Sequence, residues 1–141
     1  MKKITSTVPV SILIVFICIL IAFVIGNGEV FWHQQKWNSA NISHYRIRLS
    51  RSCFCGDIEH SSASIEVQNG KIISTSDKAG PSETIDSLFS YLRRIHNRRV
   101  ESLEVKYDPI YGFPSHIFYD SSKDVMDDEM GFDILKFEVL P

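Results

Sequence analysis

No Gly-x-Ser-x-Gly elbow, no phosphate-cradling Gly-Lys-Ser/Thr loop and no His-Glu-x-x-His pair occurs in this 141-residue sequence. Their absence removes the usual serine-hydrolase, nucleotide-binding and zinc-protease signatures. An excess of one charge is missing too: 15 Lys and Arg stand against 17 Asp and Glu, a formal net charge of −2. That balance excludes a generic nucleic-acid binder. No internal repeat or low-complexity run appears, and cysteine occurs only three times, at Cys18, Cys53 and Cys55. With 44% hydrophobic and 23% charged residues, the chain is too apolar to be a disordered one.

The apolar residues are unevenly spread. Val8 to Ile25 reads VPVSILIVFICILIAFVI without a charge. Eighteen residues at a helical rise of about 1.5 Å span about 27 Å, close to the roughly 30 Å hydrocarbon core of a bilayer. Lys2 and Lys3 precede the run and Glu29 is the first charge after it. The positive-inside rule then puts the N-terminus in the cytoplasm and the rest outside. Residues 1–26 are therefore expected to be an uncleaved transmembrane signal anchor, with residues 4–25 in contact with the bilayer. The chain is thus expected to cross the cytoplasmic membrane once. The apolar core is longer than that of a cleaved signal peptide, and secretion after cleavage near Gly26-Asn27-Gly28 is the alternative. Cys18 follows Val15-Phe16-Ile17, not the small residue that precedes a lipid-bearing cysteine.

Removing Lys2 and Lys3 leaves 13 basic residues against 17 acids, so the exported part, residues 27–141, carries −4. Nucleic acid and anionic lipid are thereby disfavoured as its partners. Glu29 to Ala40 is expected to be helical, with Phe31, Trp32 and Trp37 as an aromatic side. Apolar residues then alternate at Tyr45, Ile47 and Leu49, and again at Ala63, Ile65 and Val67, as in strands with one buried face. Asn69-Gly70 is a two-residue hairpin signal that sets Val67 opposite Ile72 on that face. Ser82 or Thr84 caps a helix in which Ile85, Leu88, Phe89, Leu92 and Ile95 recur at helical spacing. Alternation resumes at Leu103, Val105 and Tyr107, around His116–Asp120, and over Phe132–Leu140. The expected fold class is α+β: an N-terminal transmembrane helix, then an antiparallel sheet of about six strands with helices packed on one face, in helix-βββ-helix-βββ order.

Cys53-Phe54-Cys55 is the sharpest local feature. In an extended segment both sulfurs project to one side, and an oxidising compartment favours a disulfide between them. Residues at i and i+2 of a regular strand lie near the upper limit of a disulfide's Cα separation, so a bulge or turn at Gly56 is needed. A thiol-redox pair and a metal site completed by His60 with His44 or His33 are the alternatives. Tyr107-Asp108-Pro109-Ile110-Tyr111-Gly112-Phe113-Pro114 is a turn-bearing aromatic segment. Tyr107, Asp108, Tyr111 and Phe113 are candidates for an interaction surface, against a reading in which the loop folds back over the core. Asp120 to Met130 gathers Asp120, Asp124, Asp127, Asp128 and Glu129. It has no central glycine, and Lys123 interrupts it, so it does not match the helical calcium loop. Asp127, Asp128 and Glu129 join the candidate interaction surface, and no catalytic residue, metal or cofactor is expected.

Together these residues resemble a bacterial envelope family, the domain of unknown function numbered 6174. The matching signs are Trp37, Tyr45, Cys53-Phe54-Cys55, Val67 with Asn69-Gly70, and Thr84-Ile85-Asp86 leading into Leu88-Phe89. Tyr107-Asp108-Pro109, Tyr111-Gly112-Phe113-Pro114, Asp120 and Asp127-Asp128-Glu129 complete the match, over about residues 37–137. The resemblance implies a small exported or membrane-attached protein with no established activity, and it carries over no catalytic residue. The resulting expectation is an envelope protein whose exported domain binds a protein partner or stabilises an assembly. A thiol-redox or metal-handling role for Cys53 and Cys55 is the second expectation.

Overall fold

In a computed structural model the described residues are 28–53, 60–98, 100–122, 124 and 129–141. Helix α1 is described over 28–39. It is followed by β1 (His44–Cys53), β2 (His60–Gln68), β3 (Lys71–Thr75), α2 (Ile85–Asn97), β4 (Ser102–Tyr107), β5 (Pro114–Asp120) and β6 (Met130–Val139). The six strands form one antiparallel sheet in the order β3-β2-β1-β6-β5-β4. Two meanders, β1-β2-β3 and β4-β5-β6, are thus joined by the pairing of the first strand with the last.

The two-residue alternation dictates which face is buried. Tyr45, Ile47 and Leu49 of β1 face inward with Val67, Ile65 and Ala63 of β2, their partners across the register. Ile117 and Phe132, paired between β5 and β6, extend that apolar face. Val30 and Trp37 from α1 and Ile85, Leu88, Phe89 and Leu92 from α2 enter the same core. Full burial of such side chains stabilises by about 1.5–3 kcal/mol each. Thr84 caps α2, its hydroxyl oxygen accepting from Ser87 N at 3.1 Å. A second anchor is the buried Tyr45 hydroxyl, which accepts from Ile85 N at 3.1 Å. Burial pushes that phenol up to about 12.

The expected fold class is corrected. Nearly half of the described residues are in strands. Among the described residues the architecture is sheet-dominated with two short helices, in place of the expected transmembrane helix and helices layered on a sheet. Among the described residues no helix is long and apolar enough to cross a membrane. The reason is plain in their sequences: α1 carries Glu29, His33, Gln34, Gln35 and Lys36, and α2 carries Asp86, Arg93, Arg94 and His96. Residues 1–26, expected to form the anchor, lie outside the described residues. The β2–β3 turn has the expected geometry, with Asn69 and Gly70 at φ 51° and 75°. Val67 pairs with Ile72, yet Ile72 is 36% exposed, because β3 is an edge strand with only a short overlap with the core.

Candidate binding groove

The strand order leaves two edges, β3 and β4. An edge presents unpaired N–H and C=O groups along one side. On β4 exposure alternates residue by residue: Ser102, Glu104 and Lys106 are exposed, while Leu103, Val105 and Tyr107 are half-buried. The half-buried row borders an open groove of about 740 Å³, walled by Val30 from α1 and Ile95 from α2. Glu29, His96, Arg98 and Glu101 form its polar rim. At the far end of β4, the rings of His33 and Tyr107 stack at 3.7 Å and 1°. Burial, outweighing Glu29, lowers the His33 pKa and favours the neutral ring. Burial, aided by Glu29, pushes the Tyr107 phenol up to about 12. Both rings are neutral near pH 7, and the contact is a stacked apolar one.

A groove with an unpaired backbone edge, apolar side chains every second residue and a charged rim suits an extended polypeptide. The backbone supplies affinity and the alternate pockets supply selectivity.

The aromatic segment 107–114 lies beside this groove, and it folds inward. Asp108 Oδ1 accepts from Ile110 N at 2.9 Å and Tyr111 N at 2.6 Å, while Gly112 N donates to Asp108 O at 2.9 Å. Those bonds curl the chain against α1, where Lys36 Nζ donates to Pro109 O at 2.6 Å. Gly112 sits at φ 80°, and a Cβ there would stand 2.9 Å from His33 O. Phe113 is only 3% exposed, its ring 4.7 Å from Phe137 and 6.0 Å from Trp37. Tyr111 is half-buried against Phe137 at 5.2 Å. Phe113 is therefore a core residue. Tyr107, Asp108 and Tyr111 shape the loop that docks on α1, and the exposed tip is Ile110, at 70%.

Glu129 is half-buried, and its Oε2 has no hydrogen-bond partner among the described residues. Asp127 and Asp128 lie outside the described residues. Cys53 is buried at the end of β1, opposite Met130; Cys55 and Cys18 lie outside the described residues. His44 stands at the opposite end of β1 from Cys53, where its ring meets Glu66 Oε1 at 3.0 Å and Pro141 O at 2.7 Å. His33 stacks on Tyr107 at the end of β4. The structure thus does not bring His44 or His33 to Cys53. Among the described residues no group of His, Cys, Asp and Glu is placed to hold a metal ion.

The β4 groove itself is not visible in the sequence. The alternation of Leu103, Val105 and Tyr107 marks a strand, but only the strand order makes it an edge. His33 against Tyr107 joins residues 74 positions apart in the sequence, and no local pattern signals that contact.

Fold and groove define a small, sheet-dominated domain with one edge strand bordering a groove. The model of a family of unknown function, DUF6174, matches residues 32–139, and the chain belongs to that family. No curated protein and no solved structure matches it.

Proposed function

We propose that this chain is an envelope protein, held at the bacterial inner membrane through residues 4–25, whose exported domain is a protein-binding or assembly module. The observation that carries the reading is the β4 edge, with its half-buried Leu103, Val105 and Tyr107 bordering an open groove. The partner adds an extended segment alongside β4. Its apolar side chains enter between α1, α2 and the strand. Membrane attachment rests on the uncharged run from Val8 to Ile25 and the two lysines before it.

A photoreactive residue in place of Glu104, in cells carrying the full chain, tests the groove. A specific crosslinked species is expected, absent when the same residue replaces Ile73 on the other edge and lost on Leu103→Asp in a chain that still folds. Equal crosslinking from both edges would sink the groove as the binding site. Reporter fusions after Pro141 test the topology: activity of a reporter that works only in the cytoplasm refutes export. A mature chain shortened near residue 26 replaces the anchor with secretion.

A structural disulfide between Cys53 and Cys55 is part of the same proposal. Its support is that Cys53 is buried, 6% exposed, and stands two residues from Cys55 in the sequence. Intact mass with and without reductant decides it. A two-proton deficit that survives mild reductant is expected; a metal adduct, or ready reduction, overturns the structural role in favour of coordination or redox chemistry.

A further inference from the structure

The face of the sheet turned away from the core holds a second feature, independent of the β4 groove. It centres on the pairing of β1 with β6. Arg48 of β1 stands directly opposite Lys136 of β6 and, on its other side, opposite Ser64 of β2. Two like charges at one cross-strand position repel and cost stability. Arg46, two residues along β1, points the same way, so three cations share one patch of the two central strands.

The two carboxylates nearby offset the three cations only in part. Glu66 is committed to Arg46 Nη2 at 2.7 Å and His44 Nε2 at 3.0 Å. Glu138 lies between Arg46, at 3.7 Å, and Lys136, at 3.5 Å. Arg48 forms no ion pair among the described residues. Beside it opens a cavity of about 340 Å³ bordered by Arg46, Arg48, Lys136, Glu138 and the serines Ser62, Ser64 and Ser76. Ser76 is fixed there by bonds in both directions with Ser64: its N donates to Ser64 O at 2.9 Å, and its Oγ accepts from Ser64 N at 2.9 Å.

We infer that this cavity is an oxyanion site that takes a phosphate group, free or as the phosphodiester of an anionic polymer. A tetrahedral anion between Arg48 and Lys136 replaces their repulsion with two charge-assisted hydrogen bonds. The serine hydroxyls donate to its remaining oxygens, which a flat carboxylate would use less fully. Arg46, held in place by Glu66, supplies a third positive charge at fixed distance. The overall charge of −4 on residues 27–141 does not oppose this, because a small anion responds to the local field.

The test titrates the full chain in detergent micelles with inorganic phosphate, reading backbone NMR shifts and the melting temperature. Sodium chloride at equal ionic strength is the control. Phosphate is expected to shift the Ser62, Ser64 and Arg48 amides and raise the melting temperature, with a millimolar apparent Kd. Arg48→Gln/Lys136→Gln is expected to weaken binding by about tenfold or more. Lys106→Gln, which removes an exposed lysine paired with Glu104, is expected to leave it unchanged. A glycerol phosphodiester oligomer that binds more tightly per phosphate than the free ion identifies the polymer as ligand; equal binding identifies free phosphate. An identical response to chloride, or equal weakening by Lys106→Gln, overturns the site. So does phosphate binding that persists in the double variant, whose fold is checked by circular dichroism.

Discussion

Replacing Gly112 by alanine tests whether the β4–β5 loop is docked on α1, because a second glycine provides a matched control. Gly70 and Gly112 occupy nearly the same backbone conformation, φ 75° and 80°. Placing an L side chain in that region costs roughly 1–2 kcal/mol, and both variants incur that cost. Their surroundings differ. A Cβ on Gly70 meets nothing within 4 Å, whereas on Gly112 it stands 2.9 Å from His33 O and 3.0 Å from Lys36 Cβ. His33 O belongs to the backbone of α1 and cannot swing aside like the end of a flexible side chain. Overpacking of that kind adds roughly 1–3 kcal/mol. Gly70→Ala is therefore expected to destabilise by roughly 1–2 kcal/mol and Gly112→Ala by roughly 2–5 kcal/mol. For a domain of this size that difference separates the midpoints by roughly 4–8 °C per kcal/mol. Urea unfolding of both variants, with the slope checked for constancy, measures it. Equal losses, within about 0.5 kcal/mol, would show that the loop does not rest on α1 and that Phe113 is not held in the core by it.

Tyr45→Phe removes the acceptor from Ile85 N and leaves a buried donor in the first turn of α2, a loss of roughly 1–3 kcal/mol by denaturant titration. Thr84→Ala, which removes the N-cap of the same helix, is expected to cost about 1 kcal/mol, and an unchanged midpoint would refute the cap. The pH dependence follows from two shifts of opposite direction. Hydrogen bonds to Glu66 and then to Pro141 O raise His44 above its ordinary 6.5, so its contribution is complete below that value and fades as pH rises through the raised pKa. Arg46 and then His44 lower Glu66 below its ordinary 4.5, so its contribution is present above that value and fades as pH falls through the lowered pKa. The pair is thus fully formed between about pH 4.5 and 6.5. His44→Gln is expected to flatten the alkaline decline in stability, and NMR titration of the His44 ring reads the shift directly.

Local pattern carried the elements and not their neighbours. The alternation at Tyr45-Ile47-Leu49 and Ala63-Ile65-Val67, the Asn69-Gly70 turn and the amphipathic spacing from Ile85 to Ile95 each encode one element within a few residues, and each is legible. The pairing of β1 with β6 joins Tyr45 to Val139. No short-range signal specifies it, so neither the strand order nor the two edges can be read beforehand. The aromatic segment shows the same limit. Tyr111 and Phe113 admit both a surface and a lid until Phe137, from the last strand, and Trp37, from the first helix, are placed against them. Overall charge misleads for the related reason that it averages over position: Arg48 and Lys136 become neighbours only when β1 and β6 pair.

The two edges of the sheet are not equivalent, and the difference explains why only one serves as a binding site in the proposed function. Strand β3 has five residues and is exposed along most of its length. Ile72 and Ile73 lie open to solvent there, at 36% and 53% exposure. A segment added to β3 gains backbone bonds but little apolar burial. Beside β4, Val30 and Ile95 line the groove, so in the proposed complex the side chains of an added strand are covered on the core side as well as paired at the edge. At roughly 25 cal/mol per Å² of apolar surface buried, that cover separates weak pairing from specific binding. In the proposed function the helices thus do more than fill the core: the apolar wall they give the β4 groove makes that edge the one that recognises a partner.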